Sequence, residues 1–169
     1  HLLLYICLFD KKLLELILNK SAIIFFDNSL LNLKNLNYNL LILNILHIIN
    51  CADSLSSSYE TIQLSKQYKN FILPAIGIHP NNIKDNWKEE INEIEILIKK
   101  ENPIAIGETG LDYYHNKENK IEQIELFKSQ INLSKKYNLP ILIHSREATK
   151  DTLDILKETY AIAAINERE

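Results

Sequence analysis

The chain has no methionine, and only two cysteines, three glycines and four prolines among its 169 residues. Cys7 and Cys51 have no CxxC spacing, so a reducing compartment without disulfides, the cytoplasm, is the expected setting. So few glycines and prolines leave no linker, repeat or low-complexity tract to divide the chain. Without an initiator methionine, and opening on His1, the chain is expected to be processed or a piece of a longer frame, with both ends truncated. A net charge of −3 argues against a broad basic face for nucleic acid. It leaves room for a small phosphate-handling site, because a bound metal supplies the positive charge there. The longest apolar stretch, 40–50, is read as a helix end followed by a strand. The apolar stretch 2–9 is closed by Asp10, Lys11 and Lys12, without the flanks of a signal peptide, and is too short to cross a bilayer. Residues 1–22 are therefore read as an extension of unknown role, 23–169 as one domain, and no membrane partner is expected.

What is present is an ordinary globular composition, 46% hydrophobic and 24% charged. From residue 23 onward, short apolar runs alternate with segments of helical spacing. Trp87, Ile91, Ile94 and Ile98 line one helix face, and Ile121, Ile124, Phe127 and Ile131 another. A serine cluster marks the start of a helix over 56–68. Alternation of this kind implies βαβ units and a parallel sheet, and strands apolar on both faces fit a buried one. The expected strands are 23–27, 46–50, 73–78, 104–107, 141–144 and 161–165.

The chemistry is concentrated where the strands stop. The run IAIGETGLDYY at 104–114 delivers Glu108 and Asp112, LPILIHSREA at 139–148 delivers His144 and Arg146, and the strand before GIHP delivers His79. A carboxylate and an imidazole at the carboxyl ends of successive buried strands are the parts of a metal site on an α/β barrel. Each residue also has a plainer reading. Glu108 would serve a structural salt bridge, His144 a hydrogen-bonded core position, His79 a turn before Pro80, and Asp112 a loop cap or a pair with Arg146. His47 is read as core, His1 and His115 as solvated, and the charge run 117–120 as a solvated loop or helix start.

GIHP at 77–80, AIGETGLDYY at 105–114 and NLPILIHSREATKDTLDIL at 138–156 together resemble the TatD family of metal-dependent deoxyribonucleases. The resemblance covers roughly 23–156, in the family's order and spacing. It implies the fold class α/β, a (β/α)₈ TIM-barrel type metal-dependent hydrolase. A full barrel takes about 250 residues, so an incomplete barrel of about six parallel strands is expected here. It also implies a divalent metal ion of Mg or Zn type as cofactor and DNA or a nucleotide substrate as partner. The implied activity is phosphodiester cleavage, exonucleolytic in mode. By the resemblance Glu108 and His144 are metal ligands, His79 faces the scissile phosphate, and Asp112, Tyr113 and Arg146 flank the site. The first-strand motif departs from the family: Asp27 is kept, but Ser29 and Leu31 stand where a His-x-His pair belongs. Asn166 falls near the place of a further histidine, and a late aspartate would lie past Glu169. Weak metal binding follows, together with an alternative reading as a catalytically inactive remnant. An amide or ester hydrolase on the same barrel is a third reading, since fold does not fix substrate.

Overall fold

The apolar runs become strands of a single sheet. The computed structural model describes residues 22–27 and 45–166, with side chains from His47 to Thr159. The extension 1–21, the positions of Ser29 and Leu31, and the first part of the apolar stretch 40–50 lie outside the described residues. Strands β1 (Ala22–Asp27), β2 (Ile45–Cys51), β3 (Ile72–Ile76), β4 (Ala105–Asp112) and β5 (Ile141–Arg146) form a five-stranded sheet in the order β1-β2-β3-β4-β5. All four neighbouring pairs are parallel. Helices α1 (Leu55–Gln67), α2 (Trp87–Glu101), α3 (Lys120–Tyr137) and α4 (Thr149–Asn166) follow β2, β3, β4 and β5 in turn. Spatial order equal to sequence order means that every crossover steps the same way. A doubly wound sheet would reverse direction at a switch point; stepping one way winds a barrel. The described residues form a half-barrel.

Strand alternation separates two buried faces. Ile76, Ile106, Ile141 and Ile143 join the larger core with Ile94, Leu97, Ile98, Leu126, Phe127 and Ile131 of the helices. Ile49, Cys51, Ala75, Ala105 and Leu142 form a second, smaller cluster. The helix ends reflect the scarcity of glycine. Where a left-handed residue is needed, Asn supplies it, at Asn102 (φ 49°) after α2 and Asn138 (φ 50°) after α3. Ser54 caps α1 through a reciprocal bond with Ser57, as the serine cluster predicts. Among the described residues no helix is long and apolar enough to cross a membrane.

Several expectations are corrected. The sixth strand, 161–165, is absent: α4 continues through Asn166. No glycine or proline interrupts the chain after Leu156, and the alanine-rich AIAAI favours helix over strand. β4 does not stop at Gly107 but runs on through Glu108 to Asp112, buried throughout. Periodicity misses this because three of its last five residues are Glu108, Thr109 and Asp112; their burial is made possible by partners that only the tertiary fold brings up. Ile121 is 71% exposed, one turn too early to reach the core. His47 is half-buried, with Nδ1 2.8 Å from the Asn70 carbonyl oxygen, rather than part of the core.

Helices α2 and α3 are tied by Glu95, whose Oε1 accepts from Lys136 Nζ at 2.7 Å and from Tyr137 Oη. Hydrogen bonds from Lys136, Tyr137 and Lys99 hold its carboxyl at about 2, below the usual 4.5. A depressed carboxyl contributes stability above its unfolded value and loses it as pH falls toward the folded one. Glu95→Gln should cost about 1 kcal/mol or less at pH 7, and the gap to the parent chain should close as pH falls below 4.5. Urea denaturation at a series of pH values measures this; a gap independent of pH would show that the carboxylate charge contributes nothing.

Candidate functional site

The carboxyl ends of β3, β4 and β5 bring three of the sequence-derived candidates together. His79, Glu108 and His144 each offer a ligand atom, and these atoms lie within 4.8 Å of one another. The backbone that carries them is tied to the turn after β2. The Glu108 amide donates to the Ala52 carbonyl and the His79 amide to the Asp53 carbonyl, both at 2.8 Å. In register, Gly110 lies opposite His144 on β5. Gly110 adopts φ +137°, and a Cβ there would fall 2.0 Å from the His144 carbonyl oxygen. Only glycine lets the two strands approach this closely.

Asp112 joins this cluster to its surroundings. Its Oδ1 accepts from the Tyr114 and His115 amides at 2.9 and 3.0 Å. Its Oδ2 accepts from Asn81 Nδ2 at 3.0 Å, His115 Nδ1 at 2.9 Å and His144 Nε2 at 3.2 Å. Burial alone would raise this carboxyl. The bonds from His115, Asn81 and Tyr114 outweigh it and hold the group well below the usual carboxylate range. An ionised carboxylate only accepts, so the protons sit on His144 Nε2 and His115 Nδ1. That tautomer leaves a lone pair on His144 Nδ1, which faces Glu108 Oε1 at 3.4 Å. Glu108 Oε1 is itself buried and has no hydrogen-bond partner. A carboxylate oxygen and an imidazole lone pair facing each other without a proton between them repel, and a cation relieves that repulsion. The donor set therefore fits a divalent metal, with Glu108 and His144 as its nearest ligands.

His79 is set differently. Its Nδ1 accepts from the Asn81 amide at 3.1 Å, so the neutral ring carries its proton on Nε2. Burial, followed by the neighbouring His144, lowers this imidazole to about 4, so it is neutral at pH 7. In this tautomer His79 presents an N–H to the cluster. It would join the metal as a third ligand only by giving up the Asn81 bond.

Arg146 does not pair with Asp112, contrary to one expectation. Its guanidinium lies over the Tyr114 ring, 3.8 Å from the centroid, and Nη1 is 3.4 Å from His115 Nε2. Asp112 is satisfied instead by Asn81, His115, His144 and the Tyr114 amide. Tyr113 is buried away from the cluster, with Oη donating to Asp151 at 2.9 Å. Burial first, then that acidic partner, push its hydroxyl up to about 12.

Sequence reasoning missed four contributors. His115 is exposed as expected, yet it is also a direct partner of Asp112, and Asn81 bridges His79 and Asp112. The other two are glutamines on one face of α3. Gln130 Oε1 accepts from the Ile78 amide, and its Nε2 donates to the Ile78 carbonyl and to Thr109 Oγ1. Gln123 treats Asp112 the same way, accepting from its amide and donating to its carbonyl. Both side chains are fully buried. Each amide takes the place of a neighbouring strand where β3 and β4 run out of partners. The available signal was a pair of polar residues seven apart, flanking Phe127 on an otherwise apolar helix face.

Residues 42–165 match the family model described as TatD related DNase. The chain is 45% identical over 104 residues to the uncharacterized metal-dependent hydrolase YabD of Bacillus subtilis, covering 62% of this chain and 40% of that protein. It is 31% identical over 130 residues to human deoxyribonuclease TATDN3, covering 70% of this chain and 47% of that protein. The chain thus spans less than half the length of these relatives. The fold is that of YJJV, a TatD homologue from Escherichia coli: the TM-score is 0.68 at 22% identity, over 82% of this chain and 56% of that one.

Replacing Gln130 by Leu leaves the Ile78 amide and carbonyl and the Thr109 hydroxyl without their partner. Each buried group left unsatisfied costs about 1–3 kcal/mol, so with three such groups Gln130→Leu should lower unfolding stability by about 3 kcal/mol or more in a urea titration. A loss below about 0.5 kcal/mol, the usual size for a surface substitution, would show that the glutamine does not hold the strand end.

Proposed function

The chain belongs to the TatD related DNase family, whose matched relatives are metal-dependent hydrolases, and from that premise we propose that it cleaves phosphodiester bonds of DNA at the rim formed by β3, β4 and β5. The observation that carries this reading is the buried, unpartnered Glu108 Oε1 facing the His144 Nδ1 lone pair. Glu108 and His144 are the metal ligands. Imidazole with carboxylate suits Zn²⁺ or Mn²⁺ better than Mg²⁺, which prefers an all-oxygen shell. When bound, such an ion supplies a Lewis acid and lowers the pKa of a water.

The chain's own groups do the rest. Asp112 accepts the His144 Nε2–H and so fixes the tautomer and ring direction that ligation requires. His79, neutral, directs Nε2–H at a phosphate oxygen, where a hydrogen bond strengthens as charge develops. Arg146, with Nη1 3.4 Å from His115 Nε2, meets the anionic backbone of the substrate. The DNA specificity rests on the family and on the name of the human relative. An exonucleolytic mode is in keeping with a small site in a chain of net charge −3.

A second reading, a remnant without turnover, is favoured by Ser29 and Leu31, where the family resemblance places two imidazoles. The two readings share the metal site and differ in the chemistry that follows. Isothermal calorimetry with Zn²⁺ or Mn²⁺ tests the shared part. Glu108→Ala should weaken binding about 100-fold or more, exceeding the 10–100-fold expected for Asp112→Asn, whose carboxylate stands behind a ligand. Equal affinities for the parent chain and Glu108→Ala would refute the ligand assignment. Release of nucleotides from labelled single-stranded DNA, present in the parent chain and lost in Glu108→Ala, then separates enzyme from remnant.

A further inference from the structure

The rim carries one feature that metal-assisted hydrolysis does not use. Tyr114 is 53% exposed, although it follows a fully buried strand. One face of its ring carries the Arg146 guanidinium at 3.8 Å, and the His115 ring stands perpendicular to it at 4.9 Å. Among the described residues Arg146 has no carboxylate partner. The guanidinium instead sits over an aromatic ring, with Nη1 turned toward His115. This group is joined to the candidate metal ligands by direct contacts. His144 Nε2 meets Asp112 Oδ2, Asp112 Oδ2 meets His115 Nδ1, and His115 Nε2 faces Arg146 Nη1. The distances along that path are 3.2, 2.9 and 3.4 Å, so the stack lies within one nucleotide's reach of His144.

We propose that Tyr114 and Arg146 form a nucleotide-binding platform, on which an unpaired base of single-stranded DNA stacks against Tyr114 while Arg146 holds the phosphate attached to it. The inference rests on the phosphodiesterase reading above and adds the residues that would hold a base and its phosphate beside the metal ligands. An exposed aromatic ring reads no base edge, so it accepts any base, but only one freed from its helical neighbours. A guanidinium pre-set by stacking loses little freedom when it clamps a phosphate. His115 and Asp112 fix the Arg146 donor fork relative to the metal ligands, which sets how far from the scissile bond the stacked base lies. Duplex DNA, with every base stacked and paired, cannot use the Tyr114 ring and gains only the phosphate contact.

The test is binding, which separates the platform from turnover. A fluorescein-labelled oligodeoxyadenylate and an abasic strand of equal length are titrated with the full chain in EDTA, read by anisotropy. Tyr114→Ala should weaken binding of the oligodeoxyadenylate by about 5- to 100-fold, and Tyr114→Phe by less than about twofold. The abasic strand should bind the parent chain as weakly as the oligodeoxyadenylate binds Tyr114→Ala, with no further loss when the two changes are combined. Arg146→Gln should weaken both strands and reduce the salt slope by about one. If Tyr114→Ala binds the oligodeoxyadenylate as the parent chain does while Arg146→Gln does not, the base platform is wrong and the phosphodiesterase reading stands. If the parent chain binds neither strand yet still takes up Zn²⁺ by calorimetry, the nucleic-acid reading fails and the platform with it.

Discussion

An ionised carboxylate that is 1% exposed is the constraint around which the rim of this half-barrel is arranged. Burying a charge is costly unless donors replace the lost water. Asp112 obtains them from every side: amides of the turn that follows it, Asn81 from the turn after β3, His115 from its own loop and His144 from β5. Each donor is in turn fixed by being used. Asn81 is held between Asp112 and His79, His144 has its outer nitrogen committed, and His115 is turned so that its second nitrogen faces Arg146. One charge thus orients Asn81, His115 and His144 together.

The arrangement needs a backbone to stand on, and helix α3 provides it from below. Gln123 and Gln130 close the open ends of β4 and β3 with amide groups that imitate a strand neighbour. They fix both amide and carbonyl of Asp112 and Ile78, the latter the residue just before His79. Polar side chains in an apolar core are costly when partly satisfied and specifying when fully satisfied. Here every polar atom of both amides is bonded. Gly110 works to the same end by letting β5 come close enough for His144 to meet Asp112. The apolar core would tolerate a sliding register between strands and helix; these amides would not.

Much of the fold was legible from the chain. Five of the expected strands form, in parallel, because buried parallel strands are short apolar runs and little else in this sequence is. The sixth was misread because an alanine-rich continuation of a helix is as apolar as a strand, and only the lack of a breaker after Leu156 tells them apart. Of the site, the residues at strand ends were legible because polar groups there interrupt an apolar run: His79, Glu108 and His144 are brought together as the spacing implied. His115 was not, since an exposed histidine in a loop looks the same whether or not a buried aspartate lies behind it. Nor could the sequence separate the two alternatives for Asp112, a cap or a partner of Arg146, because the choice depends on which donors arrive from β3 and β5.

The central claim is that Asp112 fixes the proton of His144 on Nε2 and leaves Nδ1 to face Glu108. Long-range ¹H–¹⁵N correlation spectra of the metal-free chain, at a pH where the histidines are neutral, report the tautomer of each ring directly. The account predicts an Nε2–H tautomer for His144, loss of that preference in Asp112→Asn, and a shift confined to Nδ1 of His144 on addition of Zn²⁺. An Nδ1–H tautomer for His144, or a Zn²⁺-induced shift at Nε2 instead, would contradict it.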